Sequence, residues 1–271
     1  MNAVWVWSIA RAFGGTVLVR IEDHDRQRSR AAFETSILDD LLWLGLTGDN
    51  AASGAPMPSR QSERPEAFQR ALEALGSTQR VYACRCSRRD ITAQGNAADE
   101  LRYPGTCRQA NVPLAETPAR RLWLPGAEVT FEDLRHGPQV QVPANQCGDL
   151  LLRDRLGQWT YQFAVVVDDL GEGIDLIIRG DDLLPSTGRQ KLLGRMLGRP
   201  TSPLVLHHPL VVHPDGTKLS KSAGDTSLAA LRASGWSAEQ ILGHAAFLGG
   251  LQSESRPLSQ AQLSRLWEAD R

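Results

Sequence analysis

Two strand-like segments of the chain run directly into charged residues, and helices are predicted between them. The first segment, 16–21, is β-branched and apolar and leads into Glu22, whereas the second, 174–178, leads into Arg179. Strands that alternate with helices favour an α/β fold with a parallel sheet, and ligands bind such sheets beyond the carboxyl ends of the strands. The sequence therefore predicts that Glu22 and Arg179 lie at a ligand-binding edge.

Helical spacing of apolar residues, capping residues and glycine stops predict further elements around these strands. A segment of short strands and turns, 113–157, interrupts the alternation and is typical of an inserted β-rich subdomain. The other predicted elements are the helices 2–13, 30–44, 63–75 and 187–197, a strand at 204–212, and a helical region at 227–271.

The composition excludes several classes of protein. Of the 271 residues, 41% are hydrophobic and 23% are charged, and the net charge is −1, which is typical of a folded protein rather than a disordered or collagen-like chain. The sequence contains no run of about 18 apolar residues, the length that a membrane-spanning helix needs, and no basic start of a secretory signal. We expect a cytoplasmic protein with one large domain or two modest ones.

Three of the four cysteines lie close together in a segment with few apolar residues. Cys84, Cys86 and Cys107 would supply three thiolates, and Zn²⁺ normally binds four ligands in a tetrahedron. This spacing suits a metal site in a reducing compartment better than a disulfide framework, although incidental surface cysteines are the alternative. The candidates for a fourth ligand are Tyr103, Asp99 and Glu100.

Two of the three lysines lie in one polar loop that is flanked by glycines. Lys218 and Lys221 stand beside the hydroxyls of Ser220 and Ser222, a combination that could stabilise charge on a phosphate as it is transferred or released. The other 27 basic residues are arginines, so a retained lysine favours a role that a planar guanidinium cannot fill. An ordinary solvated loop is the alternative.

The charged residues at the two strand ends have several candidate roles. Glu22 and its neighbours Asp23 and Asp25 could bind an ammonium group, coordinate Mg²⁺, or simply be solvated. Arg179 could bind a carboxylate through two N–H groups, or form an ordinary surface salt bridge.

A local excess of positive charge lies between residues 80 and 121, where there are eight basic and four acidic residues. The excess is compatible with contacts to a phosphate backbone and equally with a solvated face. Cys147 and the pair His207-His208 are expected to be structural.

Five motifs, in their order along the chain, resemble those of the glutamyl-tRNA synthetase-like family of class I aminoacyl-tRNA synthetases. The resemblance covers nearly all of the chain and is strongest to a short branch of the family, the glutamyl-queuosine tRNA(Asp) synthetases, which lack anticodon-binding domains. The motifs are 19–25 (VRIEDHD), 84–107 (C-x-C, then Y-x₃-C), 161–169 (YQ, then VDD), 178–180 (IRG) and 218–222 (KLSKS).

The resemblance implies a Rossmann-type α/β class I catalytic domain with an inserted subdomain. It also implies an activity, in which L-glutamate is activated with ATP to glutamyl-adenylate and then transferred to queuosine in the anticodon of tRNA(Asp). Mg²⁺ is expected with ATP, and no covalent enzyme nucleophile is needed because positioning and charge stabilisation suffice. We expect a monomer with no membrane partner.

The family motifs also assign roles to individual residues. Glu22 is expected to hold the substrate ammonium group, while Tyr161 and Arg179 are expected to contact the glutamate. Lys221, supported by Lys218, is expected to contact the ATP phosphates. The implied ATP-binding set is Lys218, Ser220, Lys221 and Ser222, of which the lysines are catalytic, and the implied zinc ligands are Cys84, Cys86, Tyr103 and Cys107.

The family pattern divides the chain into four parts. They are a first catalytic part, 1–110, with a zinc-binding segment at 81–110; an inserted β-rich, acceptor-binding-like subdomain, 111–158; a second catalytic part with the KLSKS loop, 159–226; and a short helical C-terminal tail, 227–271.

The start of the chain departs from the family pattern. Family members carry a strand and a first signature motif, His-x-Gly-His or similar, ahead of the helix that here begins near Asn2. We therefore expect the catalytic sheet to lack its first strand and the chain as given to bind ATP poorly.

Two other functions stay open. The chain could be the catalytic core of an ordinary glutamyl-tRNA synthetase, which a comparison of tRNA(Asp) with tRNA(Glu) as substrate would distinguish. It could also be a non-catalytic, zinc-stabilised RNA-binding module descended from a synthetase.

Overall fold

The helices and strands come from a computed structural model, which describes residues 1–24, 30–50, 58–94, 101–211 and 227–270. Short 3₁₀ helices span Gln61–Glu63, Asp181–Ser186 and Gln260–Asp270. The other elements are α1 (Asn2–Phe13), β1 (Arg20–Ile21), α2 (Ala31–Trp43), β2 (Ser59–Arg60), α3 (Pro65–Thr78), β3 (Val81–Ala83), α4 (Arg88–Thr92), β4 (Arg120–Leu122), β5 (Val129–Asp133), β6 (Gly137–Gln141), α5 (Pro143–Gln146), β7 (Leu150–Arg153), α6 (Tyr161–Gly171), β8 (Leu176–Gly180), α7 (Thr187–Met196), β9 (Leu204–His208), α8 (Leu228–Ala233) and α9 (Ala238–Leu248).

The largest sheet has the strand order β6-β5-β9-β8. Strand β9 is parallel to both β8 and β5, and β5 forms an antiparallel hairpin with β6. In the β8–β9 register, Arg179 lies directly opposite His207. The α/β class with a parallel sheet is confirmed, and the sheet edge where Arg179 lies carries polar groups on two neighbouring strands.

Two smaller sheets accompany this one. Strands β3, β4 and β7 form an antiparallel sheet, and β1 pairs with β2 in parallel. The β-rich region 111–158 contributes strands to two different sheets. Strands β4 and β7 join β3 in the antiparallel sheet, and β5 pairs with β9 in the largest sheet. The division of the chain into four parts stays a prediction, and the sheets cross its boundaries.

The first predicted strand, 16–21, is much shorter than expected, because only Arg20 and Ile21 join a ladder. The backbone N–H of Val17 donates to the Asp49 carboxylate (2.7 Å), and that of Val19 donates to the Asn50 side-chain oxygen (3.2 Å). Side chains from the loop after α2 therefore take the hydrogen bonds that a neighbouring strand would otherwise provide.

Two other boundaries differ from the prediction. Helix α3 begins at Pro65, a favourable first position for proline, and passes through Gly76 to end at Thr78. Strand β8 begins at Leu176 rather than at 174, because the N–H of Ile174 closes the turn after α6 by donating to Asp169. Along β8 the apolar residues are only half-buried, and the residue that is buried is Arg179. The strand predicted at 204–212 is β9, which ends at His208.

The C-terminal region packs against the start of the chain. The largest contact between elements joins α1 to the 3₁₀ helix Gln260–Asp270. Val4 and Trp7 of α1 share a core with Leu242 of α9 and with Leu263, which is fully buried. Segment 227–271 is helical as predicted at α8, α9 and the 3₁₀ helix, but residues 251–259 between them are irregular.

In the part of the chain that the structure describes, every helix is too short or too polar to span a membrane.

Candidate active site and cysteine cluster

The sheet edge at the end of β8 gathers three residues that the family motifs assign to the glutamate site. Arg179 ends β8, Tyr161 begins α6, and Glu22 follows β1. Arg179 and the Glu22 carboxylate are both close enough to Tyr161 to act electrostatically on its phenol. A cation and an anion thus both lie near this phenol.

Arg179 is only 7% exposed, and its side chain is held by neutral groups. Its Nε donates to His207 Nε2 (3.0 Å), its Nη1 to Gln190 Oε1 (2.6 Å) and its Nη2 to Thr187 Oγ1 (2.8 Å). Among the described residues, no carboxylate oxygen lies within 4.0 Å of its nitrogens, although Asp169 and Asp133 act on it at longer range. Burial lowers the pKa of Arg179, as expected for a buried cation without a direct counter-ion. The surface salt bridge, the alternative for this residue, is therefore wrong.

Tyr161 is mostly shielded from solvent, and this burial raises the pKa of its phenol while the nearby Arg179 opposes the shift. The phenol therefore stays protonated at neutral pH. It can accept a hydrogen bond from Arg179 and still donate one to a ligand.

Glu22 keeps 39% of its side chain exposed and makes a long contact with Arg20 (3.4 Å). Arg20 is committed elsewhere, since it binds Asp169 (2.9 Å) and Glu172 (2.7 Å). Burial alone would lower the pKa of Arg20, but the two carboxylates outweigh burial, so the pKa of Arg20 is raised above its usual value. Because Arg20 is shared by several anions and binds the others more closely, the Glu22 carboxylate is available to an external cation.

The sequence did not identify several residues that hold Arg179. Thr187 begins α7 and Gln190 lies about one turn further on, and Asp133 ends β5. His207 was expected to be structural, and it does contact Arg179 directly. The signal that could have found it is a pair of histidines directly after the apolar run 204–206, since a buried polar side chain needs a partner.

The expected ATP-binding residues, Lys218, Ser220, Lys221 and Ser222, lie outside the described residues. Their assignment stays a prediction.

The three clustered cysteines come together as the spacing predicted. The sulfurs of Cys84, Cys86 and Cys107 all lie within 4.8 Å of one another, and those of Cys86 and Cys107 are 3.5 Å apart. All four cysteines of the chain are free thiols. Two sulfurs bound to one tetrahedral Zn²⁺ at about 2.3 Å would be separated by about 3.8 Å, so the cluster has the dimensions of a metal site.

Tyr103 completes the group of donors. Its hydroxyl is 3.5 Å from the Cys84 sulfur and accepts the backbone N–H of Cys107 at 2.8 Å. The other two candidates for a fourth ligand, Asp99 and Glu100, lie outside the described residues. Burial and the neighbouring Cys107 thiol raise the pKa of Cys86 to about 12, so a cation is needed to keep these groups deprotonated together.

Arg121 contacts two members of this cluster, Tyr103 and Cys84. Its guanidinium lies 3.8 Å from the centre of the Tyr103 ring and its Nε donates to the Cys84 sulfur at 3.3 Å. Arg121 is only 6% exposed, so it does not belong to the solvated basic face considered for residues 80–121. Cys147 is buried and lies outside the metal-sized group, as expected for a core residue.

A groove of about 540 Å³ connects the cysteine cluster to the start of α6. Gln162 lines it and accepts a hydrogen bond from Gln190 (2.7 Å), which is itself a partner of Arg179. The charged residues that line the groove are Arg88, Arg121, Arg155, Arg189, Asp149 and Asp154. Positive charge therefore predominates in a groove that leads from the cysteines towards the start of α6.

The fold is that of a known class of enzymes. Residues 2–263 match the family described as tRNA synthetases class I (E and Q), catalytic domain, and the chain belongs to this family of ligases. It is 41% identical over 284 residues to the glutamyl-Q tRNA(Asp) synthetase of Symbiobacterium thermophilum, a match that covers all of this chain and 87% of that protein. It is 45% identical over 237 residues to the enzyme of the same name from Burkholderia cenocepacia, covering 84% of this chain and 76% of that one.

Solved structures show the same fold. A glutamate tRNA ligase from Elizabethkingia meningosepticum, in complex with its amino acid, superposes with a TM-score of 0.80 at 26% identity. A glutamate-tRNA synthetase from Elizabethkingia anophelis gives 0.81 at 26% identity. Each match covers 97% of this chain, which spans 60% and 61% of the two solved chains.

Proposed function

We propose that the chain activates L-glutamate with ATP and transfers it to queuosine in the anticodon of tRNA(Asp). The names of the curated relatives support this activity. The observation that carries the proposal is the buried Arg179, whose bonded partners among the described residues are neutral. A buried arginine without a counter-ion is costly unless a ligand supplies the anion, and a carboxylate fits its fork geometry.

The remaining residues of the site suit an amino acid as that ligand. Arg179 and the Tyr161 hydroxyl bind a carboxylate of glutamate, and Glu22 binds its ammonium group. In the activation step a glutamate carboxylate oxygen bonds to the α-phosphorus of ATP, and the bond from that phosphorus to the leaving pyrophosphate breaks. Lys221 and Lys218 stabilise the charge on the pyrophosphate, with Mg²⁺ accompanying ATP. Transfer to queuosine then releases AMP.

We also propose that Cys84, Cys86, Tyr103 and Cys107 hold one structural Zn²⁺. The ion fixes the loop between β3 and β4, a segment whose own apolar core is small. The groove beside it contacts the RNA through its arginines, because phosphate backbones bind clustered positive charge. The protein acts as a cytoplasmic monomer.

The experiment for the activity measures incorporation of labelled glutamate into tRNA(Asp) with and without queuosine, in the presence of ATP and Mg²⁺. We expect labelling that depends on queuosine and is lost in Arg179→Gln. Labelling of tRNA(Glu) instead would identify the core of a glutamyl-tRNA synthetase, an alternative that the two superposed structures favour. Binding of tRNA without any labelling would favour the RNA-binding module.

The experiment for the metal compares two tyrosine variants that each lose one hydroxyl. Tyr103→Phe removes the fourth ligand, so purified protein should release zinc to a coloured chelator at least about tenfold faster than the parent. Tyr82→Phe removes a hydroxyl that binds Asp149 beside the cluster, and should release zinc at the parent rate. Equal release rates from the two variants would remove Tyr103 from the ligand set.

A further inference from the structure

We propose that Asp133 and His207 are positioning residues that aim Arg179 at its carboxylate ligand without neutralising its charge. The proposal rests on the proposed function, in which Arg179 binds glutamate. It is carried by a line of three buried side chains, Asp133, His207 and Arg179, from three neighbouring strands of one sheet.

The hydrogen bonds fix the protonation state of His207. An arginine Nε always carries a hydrogen, so the Arg179 Nε, 3.0 Å from His207 Nε2, requires a lone pair on that ring nitrogen. The single proton of the neutral ring must then be on Nδ1, which lies 2.6 Å from the Asp133 carboxylate. A protonated ring would place an N–H against the Arg179 N–H and a second cation beside the first, and burial already lowers the pKa of His207.

Asp133 is itself held in place. Its Oδ1 accepts the backbone N–H groups of Arg135 (3.0 Å) and His136 (2.9 Å), which leaves Oδ2 for His207. The carboxylate is 1% exposed and the imidazole is fully buried. The turn after β5 therefore fixes the carboxylate, the carboxylate fixes the ring, and the ring fixes the plane of the guanidinium.

The imidazole separates two opposite charges. A carboxylate bonded directly to Arg179 would satisfy the guanidinium and compete with the substrate carboxylate. A neutral imidazole offers a hydrogen bond of the same geometry with no net charge. The arrangement keeps Arg179 both oriented and short of an anion, which is what a carboxylate-selective site requires.

The test is isothermal titration of L-glutamate and L-glutamine into the full chain and its variants. Asp133→Asn and His207→Leu should each weaken glutamate binding about tenfold, the range expected when a hydrogen bond to a charged group is lost. Glutamine carries no side-chain charge, so its affinity should change less and the preference for glutamate should fall. His207→Gln retains an oxygen acceptor and should stay within about threefold of the parent.

A matched control separates positioning from general stability. Asp49→Asn alters another aspartate that accepts a backbone N–H, from Val17, and binds an arginine, Arg11, away from this sheet edge. We expect Asp49→Asn to lower the melting temperature while leaving both affinities unchanged.

The outcomes distinguish this inference from the proposed function. A parent chain that does not bind glutamate contradicts the function itself. A parent that binds, with Asp133→Asn and His207→Leu variants that are folded and keep its affinity and preference, overturns the positioning role alone. Equal weakening of glutamate and glutamine in Asp133→Asn also overturns it, because that result shows only a loss of structure. If His207→Leu does not fold, Asp133→Asn decides.

Discussion

Lys191 is the single lysine in the part of the chain that the structure describes, and its ammonium group is bonded only to neutral oxygens. It donates to the Pro203 carbonyl (2.7 Å) and the Ser202 hydroxyl (2.9 Å). Burial, together with nearby arginines, lowers the pKa of Lys191 to about 8. An unfolded lysine titrates near pH 10.4, so between those values the unfolded chain binds more protons. From this residue alone, the free energy of unfolding therefore rises as pH increases from about 8 to about 10.4.

We predict that this titration is directly visible by NMR. Reductive ¹³C-methylation labels the side-chain amines of a chain with only three lysines, and one of the lysine signals should titrate near pH 8. Lys191→Met should lack that signal, which assigns it. Three lysine signals that all titrate near pH 10 would contradict the burial of this amine.

At the scale of elements, one glycine just before β7 packs closely against the loop that carries the clustered cysteines. Gly148 forms a parallel bridge with Tyr103 and has a φ of 68°. A Cβ at this position would lie 1.9 Å from the Tyr103 carbonyl oxygen. Any side chain must therefore push away the backbone that carries Tyr103.

We predict that Gly148→Ala lowers the free energy of unfolding by more than about 3 kcal/mol and loosens zinc binding, because strain and a backbone clash add. Gly173→Ala is the matched control, since Gly173 has nearly the same φ (70°) but nothing within 4 Å of its Cβ. It should lose only about 1 kcal/mol, from backbone conformation alone. Urea denaturation measures the free energy of unfolding of both variants, and equal losses would show that the contact with Tyr103 is unimportant.

The sequence predicted elements well where the signal is local. Helices α1 and α7 follow from apolar spacing and end within one residue of the prediction. Strand lengths were less predictable, since the N–H groups of Val17 and Val19 bond to side chains about thirty residues away. Such pairings depend on how separate segments pack and leave no trace in a local pattern.

The same distinction holds for the site. The motifs pointed to Arg179, Tyr161 and the cysteines, and the structure brings the members of each group together. They could not point to Asp133 or to the contact of His207, because these depend on the registers of β5 and β8 with β9. The roles of the KLSKS residues stay predictions.

At the scale of the whole molecule, the core that encloses α1 depends on the last residues of the chain. Leu263 is fully buried in the cluster that contains Val4 and Trp7, and Trp267 donates to the Ser8 hydroxyl at 3.0 Å. The C-terminal segment is thus part of the fold rather than an appendage.

We predict that Leu263→Ala lowers the free energy of unfolding by about 2–5 kcal/mol, since it removes a buried side chain and leaves a cavity. Leu134→Ala, at a leucine that is 52% exposed, should change it by less than about 0.5 kcal/mol. Denaturation followed by tryptophan fluorescence reports on both variants, because Trp5 and Trp7 lie in α1. A Leu263 variant as stable as the parent would show that α1 is held by other contacts.

This contact between the two ends of the chain has a consequence for synthesis on the ribosome. Helix α1 is made before Leu263 and Trp267, which follow some 250 residues later. Domains generally fold as units, so α1 keeps its valines and tryptophans uncovered until Leu263 and Trp267 have been made. A nascent chain of this protein therefore presents an apolar helix while those residues are being made, and protection by a chaperone is most useful at α1.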